Sequence, residues 1–326
     1  MNILLALLMV VPLYAAEKPW RFCVALPHAK DRYWWAVAYG LKDEAEKKNV
    51  KIEILLADGY SFLEQQKKQI LQCKTENFDA IILGGISRDG LASVLEEVRV
   101  ANIPVVDLVN GVNSSAVVAK STVNYLKVTD KIFDFILQHA KTNKVPMPIS
   151  IVVFPGPKGA GWSEDTYAGF RAKMKNKNVR ISFGGFDDTG IYQQMSLVRG
   201  FFVEKVHADY IVANGVAALA ASRLFEFKKI KRAPYIISTY ETDEIVAAVK
   251  EGKILATSTE KPVTLARKSI DLAIEAVEKK LSQSQFQREL DVQTKESLEN
   301  SNLEESLPKS GFFFDSNILK PSKNKK

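Results

Sequence analysis

The sequence contains few of the residues that most enzymes use for chemistry. Only three histidines and two cysteines occur among 326 residues, and no two histidines have the His-x-x-x-His spacing of a helical zinc site. No Gly-x-Ser-x-Gly nucleophile motif is present. The stretch Gly156–Gly161 is followed by Trp162-Ser163, where a phosphate-binding loop would need Lys and then Ser or Thr. We therefore expect no catalytic residues, no bound metal and no cofactor, and the protein is not expected to be an enzyme.

Long apolar stretches are also scarce. The one at residues 3–13 has the length of a signal-peptide core and is too short to span a bilayer. Ala15 and Ala16 are small enough for cleavage, which predicts a signal peptide at residues 1–16, cut after either alanine. Only Met1-Asn2 precedes the apolar run, without Lys or Arg, so an uncleaved anchor is the alternative. Cleavage would leave a periplasmic protein that does not span the membrane.

Charge of one sign does not dominate the sequence. The chain has 45 Lys and Arg against 38 Asp and Glu, and part of the excess lies in a Lys-rich tail at residues 319–326. Elsewhere acidic and basic side chains alternate, as in Lys42-Asp43-Glu44, which is typical of a solvated surface and not of a nucleic-acid face. The first predicted strand begins about four residues after the cleavage site, which leaves no room for the helix-turn-helix of a repressor. We expect no nucleic-acid partner.

The two cysteines, Cys23 and Cys73, bear on the compartment of the protein. An even number of cysteines in an exported chain favours a disulfide, and only one pairing is possible. The alternative is two buried free thiols, which the apolar neighbours Phe22 and Val24 would permit. We predict the Cys23–Cys73 disulfide.

Strand-like and helix-like patterns alternate along the chain. Short apolar runs such as Arg21–Leu26 and Ala80–Leu83 are followed by segments in which apolar residues have helical spacing. The alternation reaches Val109 and restarts at Ile149, which predicts an α/β protein of two lobes, each a doubly wound parallel sheet. The chain length of 326 residues is also more than a single hydrophobic core usually stabilises. A late strand is expected at Phe312–Phe314.

Ligands of doubly wound sheets bind beyond the carboxyl ends of the strands, and in this sequence those positions are aromatic. Three adjacent rings, Tyr33-Trp34-Trp35, follow the first strand and point three ways around a helix, so at least one should face solvent or a ligand. Tyr60, Trp162 and Tyr240 stand at later strand ends. The alternatives are core packing for Trp34 and Trp162, and helix capping or packing for Tyr60.

Several motifs make the chain similar to a known family. They are Cys23–Pro27, Lys30–Trp34, Asp58-Gly-Tyr60, Asp79–Gly84, Pro104–Asn110, Phe154–Pro157 and Glu251–Ile254. In this order and spacing they resemble the type I periplasmic binding proteins, from about Trp20 to Val277. Within that superfamily they resemble the members that bind trimethylamine N-oxide and present it to a sensor histidine kinase.

The resemblance implies two lobes joined by a hinge that the chain crosses three times. The crossings are expected near Ser121–Tyr125, Thr257–Lys261 and Val292–Lys295. The first lobe should then contain residues 19–122 and 262–292, and the second residues 123–259 and 295–318.

The resemblance also implies an aromatic box between the lobes. The matching positions are Asp31, Tyr33, Trp34, Tyr60, Tyr125, Trp162 and Tyr240. Aromatic faces attract a methylated, cationic nitrogen, whereas a sugar would need more amide, acidic and Arg side chains. The implied partners are a small ligand such as trimethylamine N-oxide and the periplasmic domain of a sensor histidine kinase. A substrate-binding protein of an ABC transporter, for a sugar or another small polar solute, is the alternative.

Overall fold

A computed structural model of the chain describes residues 19–203, 207–230, 232–288 and 290–314. The predicted signal peptide at residues 1–16 and the Lys-rich tail at residues 319–326 lie outside the described residues.

The elements fall into two groups, one for each lobe. The first lobe contains β1 (Arg21–Leu26), α1 (Arg32–Lys47), β2 (Lys51–Leu56), α2 (Leu63–Thr75), β3 (Ala80–Leu83), α3 (Ala92–Val100), β4 (Val105–Val109), β5 (Val117–Thr122), α9 (Pro262–Val277) and β11 (Gln285–Phe286). The second contains α4 (Tyr125–Thr142), β6 (Ile149–Phe154), α5 (Gly161–Lys173), β7 (Val179–Phe183), α6 (Ile191–Val203), β8 (Tyr210–Ala213), α7 (Gly215–Phe227), β9 (Tyr235–Ser238), α8 (Asp243–Lys250), β10 (Ala256–Ser258), β12 (Val292–Thr294), α10 (Lys295–Leu298) and a 3-10 turn at Leu303–Glu305.

Each lobe is built on a six-stranded sheet. The strand order is β11-β5-β4-β3-β1-β2 in the first lobe and β12-β10-β9-β8-β6-β7 in the second. All pairs are parallel except β12, which runs antiparallel to β10. In each sheet the chain starts at a central strand, β1 or β6, and winds to both sides of it. The predicted fold class, two doubly wound parallel sheets, is confirmed.

Strands β1, β3 and β4 of the first lobe are buried on both faces, which explains their nearly continuous apolar sequence. In β1, Phe22 and Val24 belong to the apolar cluster that also contains buried residues of α1 and α9, whereas Cys23 and Ala25 belong to the cluster around α2 and α3. Asp31, at the carboxyl end of β1, caps α1 by accepting a hydrogen bond from the backbone N–H of Tyr33 at 3.0 Å. The same local structure therefore starts a helix and places side chains at the sheet edge.

The chain passes between the sheets at three places. The first two connections, between β5 and α4 and between β10 and α9, fall within the expected Ser121–Tyr125 and Thr257–Lys261. The third runs from β11 to β12 and so precedes the expected Val292–Lys295, because Val292–Thr294 already pairs with β10 of the second sheet. Half-buried, polar and only three residues long, β12 has no apolar alternation by which it could be recognised.

The expected strand at Phe312–Phe314 is wrong. These residues have no strand partner in the described part of the chain, and they lie against the outer face of α1 instead. Phe312 packs edge-on against Tyr39 with ring centroids 5.2 Å apart, and Phe314 lies 6.4 Å from Trp35. Aromatic rings can bury their area equally well on a helix face, and sequence alone did not distinguish the two arrangements.

The predicted disulfide between Cys23 and Cys73 is confirmed. It joins β1 to α2, and both cysteines are fully buried in the apolar cluster between the first sheet and α2 and α3.

Candidate functional site

A cavity lies between the two lobes, at the carboxyl ends of the strands of both sheets. The space between its lining side chains is about 270 Å³, part of which is open to solvent, so the cavity suits only a small ligand. Its lining residues are Asp31, Tyr33, Trp34, Tyr60, Val109, Asn110, Tyr125, Trp162, Thr189, Tyr240 and Glu260. All of the ligand-site residues predicted from the sequence are among them.

Strand ends and helix starts place the aromatic residues. Tyr33 and Trp34 belong to the first turn of α1, and Tyr60 follows β2 in the first lobe. In the second lobe, Trp162 lies in the first turn of α5 and Tyr240 follows β9. Tyr125, also in the second lobe, is the first residue of α4. The wall of the cavity is therefore assembled from both lobes and depends on their closure.

The rings form one connected aromatic wall. Trp162 is at its centre, with ring centroids 6.1 Å from Tyr60, 6.4 Å from Tyr125 and 6.1 Å from Tyr240. Tyr33 meets Tyr240 edge to face at 5.2 Å. In an edge-to-face pair one ring contacts its neighbour only through its edge, and a free ring face that borders the cavity can contact a cationic group.

One carboxyl group, that of Asp31, lies within this wall. Besides capping α1, it accepts a hydrogen bond from the hydroxyl of Tyr240 in the other lobe. Burial raises its pKa to about 6, against the lowering effect of these two hydrogen bonds. The Asp31 carboxyl is therefore ionised in most molecules near pH 7, and it places a negative charge beside the rings.

The hydroxyl of Tyr60 is held as a donor. Its oxygen accepts hydrogen bonds from Nδ2 of Asn110 at 3.3 Å and from Nε1 of Trp162 at 3.1 Å. Burial raises the pKa of Tyr60, so the phenol keeps its proton. With both acceptor positions of the oxygen used, the remaining proton can be donated to a ligand.

A second carboxyl group, that of Glu260, lines the cavity from the hinge connection between β10 and α9. Its Oε2 accepts a hydrogen bond from the hydroxyl of Tyr125 at 3.3 Å, whereas its Oε1 has no partner among the described residues. Burial raises the pKa of Glu260 to about 8. Glu260 lies within the crossing expected at Thr257–Lys261, but it was not predicted as a ligand-site residue.

The two lobes are closed over the cavity by polar contacts at its rim. Arg88 of the first lobe donates from Nη2 to the carbonyl of Gly161 at 2.6 Å and pairs with Asp165 at 2.6 Å. The backbone N–H of Tyr60 donates to Asp188 of the second lobe at 2.9 Å. These contacts join the rims of the two lobes outside the cavity wall.

His28 also bridges the lobes. Its Nε2 lies 2.9 Å from the hydroxyl of Thr189, and burial lowers its pKa to about 3. The ring is therefore neutral, and the contact is a hydrogen bond. Asp188, at 4.0 Å from the same nitrogen, has no charged histidine to pair with. Apart from Tyr60, none of the residues in these rim contacts was predicted as a site residue from the sequence, because single polar residues in loops carry no periodic signal.

Two further features bear on the classes of function. Across the described ranges, no group of three or more His, Cys, Asp and Glu side chains is arranged to hold a metal ion. Within the same ranges, no helix combines the length and apolar character needed to cross a membrane.

Comparisons with known proteins match the sequence and the fold of the chain. The profile of the periplasmic binding protein domain family matches residues 22–281. Periplasmic protein TorT of Escherichia coli O157:H7 is 27% identical over 297 residues, which are 91% of this chain and 84% of the relative. An ABC transporter solute-binding protein from Bradyrhizobium sp. BTAi1, solved with bound bis-tris, is 32% identical with a TM-score of 0.74, over 93% of this chain and 90% of that one. A complex of the TorS sensor domain and TorT, solved without ligand, contains a chain that is 25% identical with a TM-score of 0.78, over 90% of this chain and 99% of that one.

Proposed function

The chain belongs to the periplasmic binding protein domain family, and on that premise we propose that it binds a small methylated amine in its interlobe cavity. The proposed ligand is trimethylamine N-oxide or a close relative, and the proposed role is to present it to a sensor histidine kinase in the periplasm. The family is one of solute-binding proteins, so no catalytic activity is proposed.

The aromatic wall is the observation that carries this proposal. Six aromatic side chains, those of Tyr33, Trp34, Tyr60, Tyr125, Trp162 and Tyr240, surround one small space together with the Asp31 carboxyl. Each ring face attracts a cationic nitrogen by about 0.5–2 kcal/mol when water is excluded. A sugar has no such charge, and most of its hydroxyls would lack hydrogen-bond partners in a wall made mainly of aromatic rings.

The size of the ligand limits its affinity. At roughly 1.5 kcal/mol for each heavy atom, a ligand as small as trimethylamine N-oxide gains about 7–8 kcal/mol at best. This corresponds to micromolar dissociation constants or weaker. Closure of the lobes draws on the same small free energy, so a partner that contacts both lobes would strengthen ligand binding.

The relatives support a sensory role and also keep one alternative open. TorT is found in complex with the TorS sensor domain, and this chain is similar to it over nearly its whole length. The Bradyrhizobium relative, at 32% identity, is named as an ABC transporter solute-binding protein. Bis-tris, with which it was solved, is itself a tertiary amine. A transport role is therefore the second candidate function.

A calorimetric panel tests the proposal. The purified protein should be titrated with trimethylamine N-oxide, trimethylamine, betaine and ribose, alone and with the periplasmic domain of a co-encoded sensor kinase. We expect micromolar or weaker binding of a methylated amine, strengthened by the kinase domain, and no binding of ribose. Tight ribose binding whose affinity is unchanged by the kinase domain would favour the transport alternative and contradict the proposed amine site.

Gly161 provides a test of whether the closed arrangement is the ligand-binding one. A Cβ atom at this position would lie 2.2 Å from the carbonyl oxygen of Asn110 and 2.5 Å from that of Gly111, both in the opposite lobe. Backbone atoms cannot rotate away, so Gly161→Ala should oppose closure by about 1–3 kcal/mol and weaken ligand binding roughly 5- to 150-fold.

The matched control is Gly200→Ala on α6, where an added Cβ meets no atom within 4 Å. Both variants should be titrated with trimethylamine N-oxide, and their melting temperatures should be compared. Equal affinities for Gly161→Ala and Gly200→Ala would mean that the ligand does not require this closed approach of the lobes.

A further inference from the structure

Glu260 is the least compensated polar group at the cavity. Its side chain is 1% exposed, and among the described residues its carboxyl makes one hydrogen bond, from Tyr125. Its Oε1 and the hydroxyl of Tyr33, which also lines the cavity, lie near each other but beyond hydrogen-bond distance, so neither has a hydrogen-bond partner. A buried polar atom without a partner costs about 1–3 kcal/mol, so these atoms are suited to bonding something in the cavity.

The charges around Glu260 disfavour its ionised form. The acidic neighbours that face it are Asp31, before α1, and Glu241, after β9. The phenols of Tyr33 and Tyr125 act in the opposite direction and lower its pKa, but less than burial raises it, and the phenol of Tyr240 is a further titratable neighbour. The adjacent cation, Lys261, is directed elsewhere, since its Nζ pairs with Glu305 at 2.7 Å. No positive side chain in the described ranges forms an ion pair with Glu260.

The geometry points to Glu260 as the specificity-determining residue of the site: as a neutral carboxylic acid it donates a hydrogen bond from its unpaired oxygen to an oxygen of the ligand. The inference rests on the proposed function. It narrows the ligand class from methylated amines in general to amine oxides, which present a negative oxygen next to the methylated nitrogen. Asp31 and the rings attract the nitrogen, and Glu260 and Tyr60 bind the oxygen.

Two ligands of nearly the same shape separate this role from simple charge attraction. Trimethylamine N-oxide and tetramethylammonium differ by an oxygen in place of one methyl group. Trimethylamine N-oxide needs the protonated form of Glu260, which donates a hydrogen bond to its oxygen. Tetramethylammonium, a permanent cation, binds more tightly when Glu260 is ionised and negatively charged. Raising the pH through the pKa of Glu260, about 8, should therefore weaken the first complex and strengthen the second.

The experiment is calorimetry of both ligands near pH 7 and near pH 9. With a pKa of about 8 for Glu260, the affinity for trimethylamine N-oxide should fall about tenfold, and the ratio of the two dissociation constants should change by about 100-fold. Glu260→Gln, whose amide can still donate, should bind the oxide at both pH values with little change between them. Glu241→Gln is the matched control: Glu241 is also buried, with a pKa of about 7, but does not line the cavity. Because the Glu241 charge helps to raise the pKa of Glu260, this variant should keep the weakening of oxide binding with rising pH but show it at a lower pH.

The possible outcomes are distinct. Oxide binding that does not weaken with pH, or a pH dependence that persists in Glu260→Gln, overturns the role of Glu260 and leaves the amine site standing. Failure of the wild-type protein to bind either ligand at any pH overturns the proposed function as well. Wild-type binding of the oxide that does not weaken with rising pH overturns the role of Glu260 even if Glu260→Gln does not fold, which its melting temperature would reveal.

Discussion

Replacing both disulfide cysteines, in the double variant Cys23→Ala/Cys73→Ala, is expected to lower the free energy of unfolding by about 4 kcal/mol. The bond closes a loop with a sequence separation of 50 residues. In the chain-entropy account, a cross-link of this span restricts the unfolded chain by about that amount at room temperature. Both cysteines are fully buried, so the lost sulfur contacts add to the effect and do not offset it.

Urea unfolding of the variant, beside wild-type protein with and without a reducing agent, measures this loss. Reduced wild-type protein should unfold close to the variant, since both lack the cross-link. Ligand affinity at low temperature should stay unchanged, because the cysteines lie on the side of the first sheet that faces α2 and α3, away from the cavity. A loss below about 1 kcal/mol would contradict the predicted role of the bond.

The aromatic part of the site could be predicted from the sequence because it follows from the fold class. Parallel strands direct their carboxyl ends to one edge, so the residues after β1, β2 and β9 had to meet if two such sheets face each other. The resemblance to a known family added Tyr125, which follows the less regular β5. The end of β5, Lys120-Ser121-Thr122, is polar and has no apolar alternation from which a strand could be predicted.

The polar part of the site was missed for a different reason. Glu260 obeys the same strand-end rule, but β10 before it has only three residues, too few for a pattern. Its partner Tyr125 is 135 positions away, and Asp31 and Tyr240 are separated by 209. Pairings at such distances depend on how the hinge sets one lobe against the other, which no local pattern encodes. Side chains that adjust the charge of the cavity are therefore harder to predict than the rings that enclose it.

Trp34→Ala is expected to have the largest combined effect on stability and binding. The ring is 2% exposed, lines the cavity and fills the space over Gly84, where a Cβ would lie 2.9 Å from its Cη2 atom. Removing a buried tryptophan costs about 3–5 kcal/mol of unfolding free energy. Indole also gives the strongest cation–π attraction, up to about 2 kcal/mol when desolvated. The affinity for trimethylamine N-oxide should therefore fall by up to roughly 30-fold.

Leu41→Ala on the same helix separates the two effects. Leu41 is fully buried in the same apolar cluster as Trp34, but it does not line the cavity. Its truncation should cost about 2–5 kcal/mol of stability and leave the affinity of the folded protein within a few-fold of wild type. Trp34→Phe, which keeps a ring, should bind between the wild type and Trp34→Ala. If both alanine variants bind equally well below their melting temperatures, the indole contributes packing alone, and the cation–π basis of the proposed ligand fails. The cavity would then have to recognise its ligand through the hydrogen bonds of Tyr60, Asn110 and Glu260, as a neutral polar solute would require.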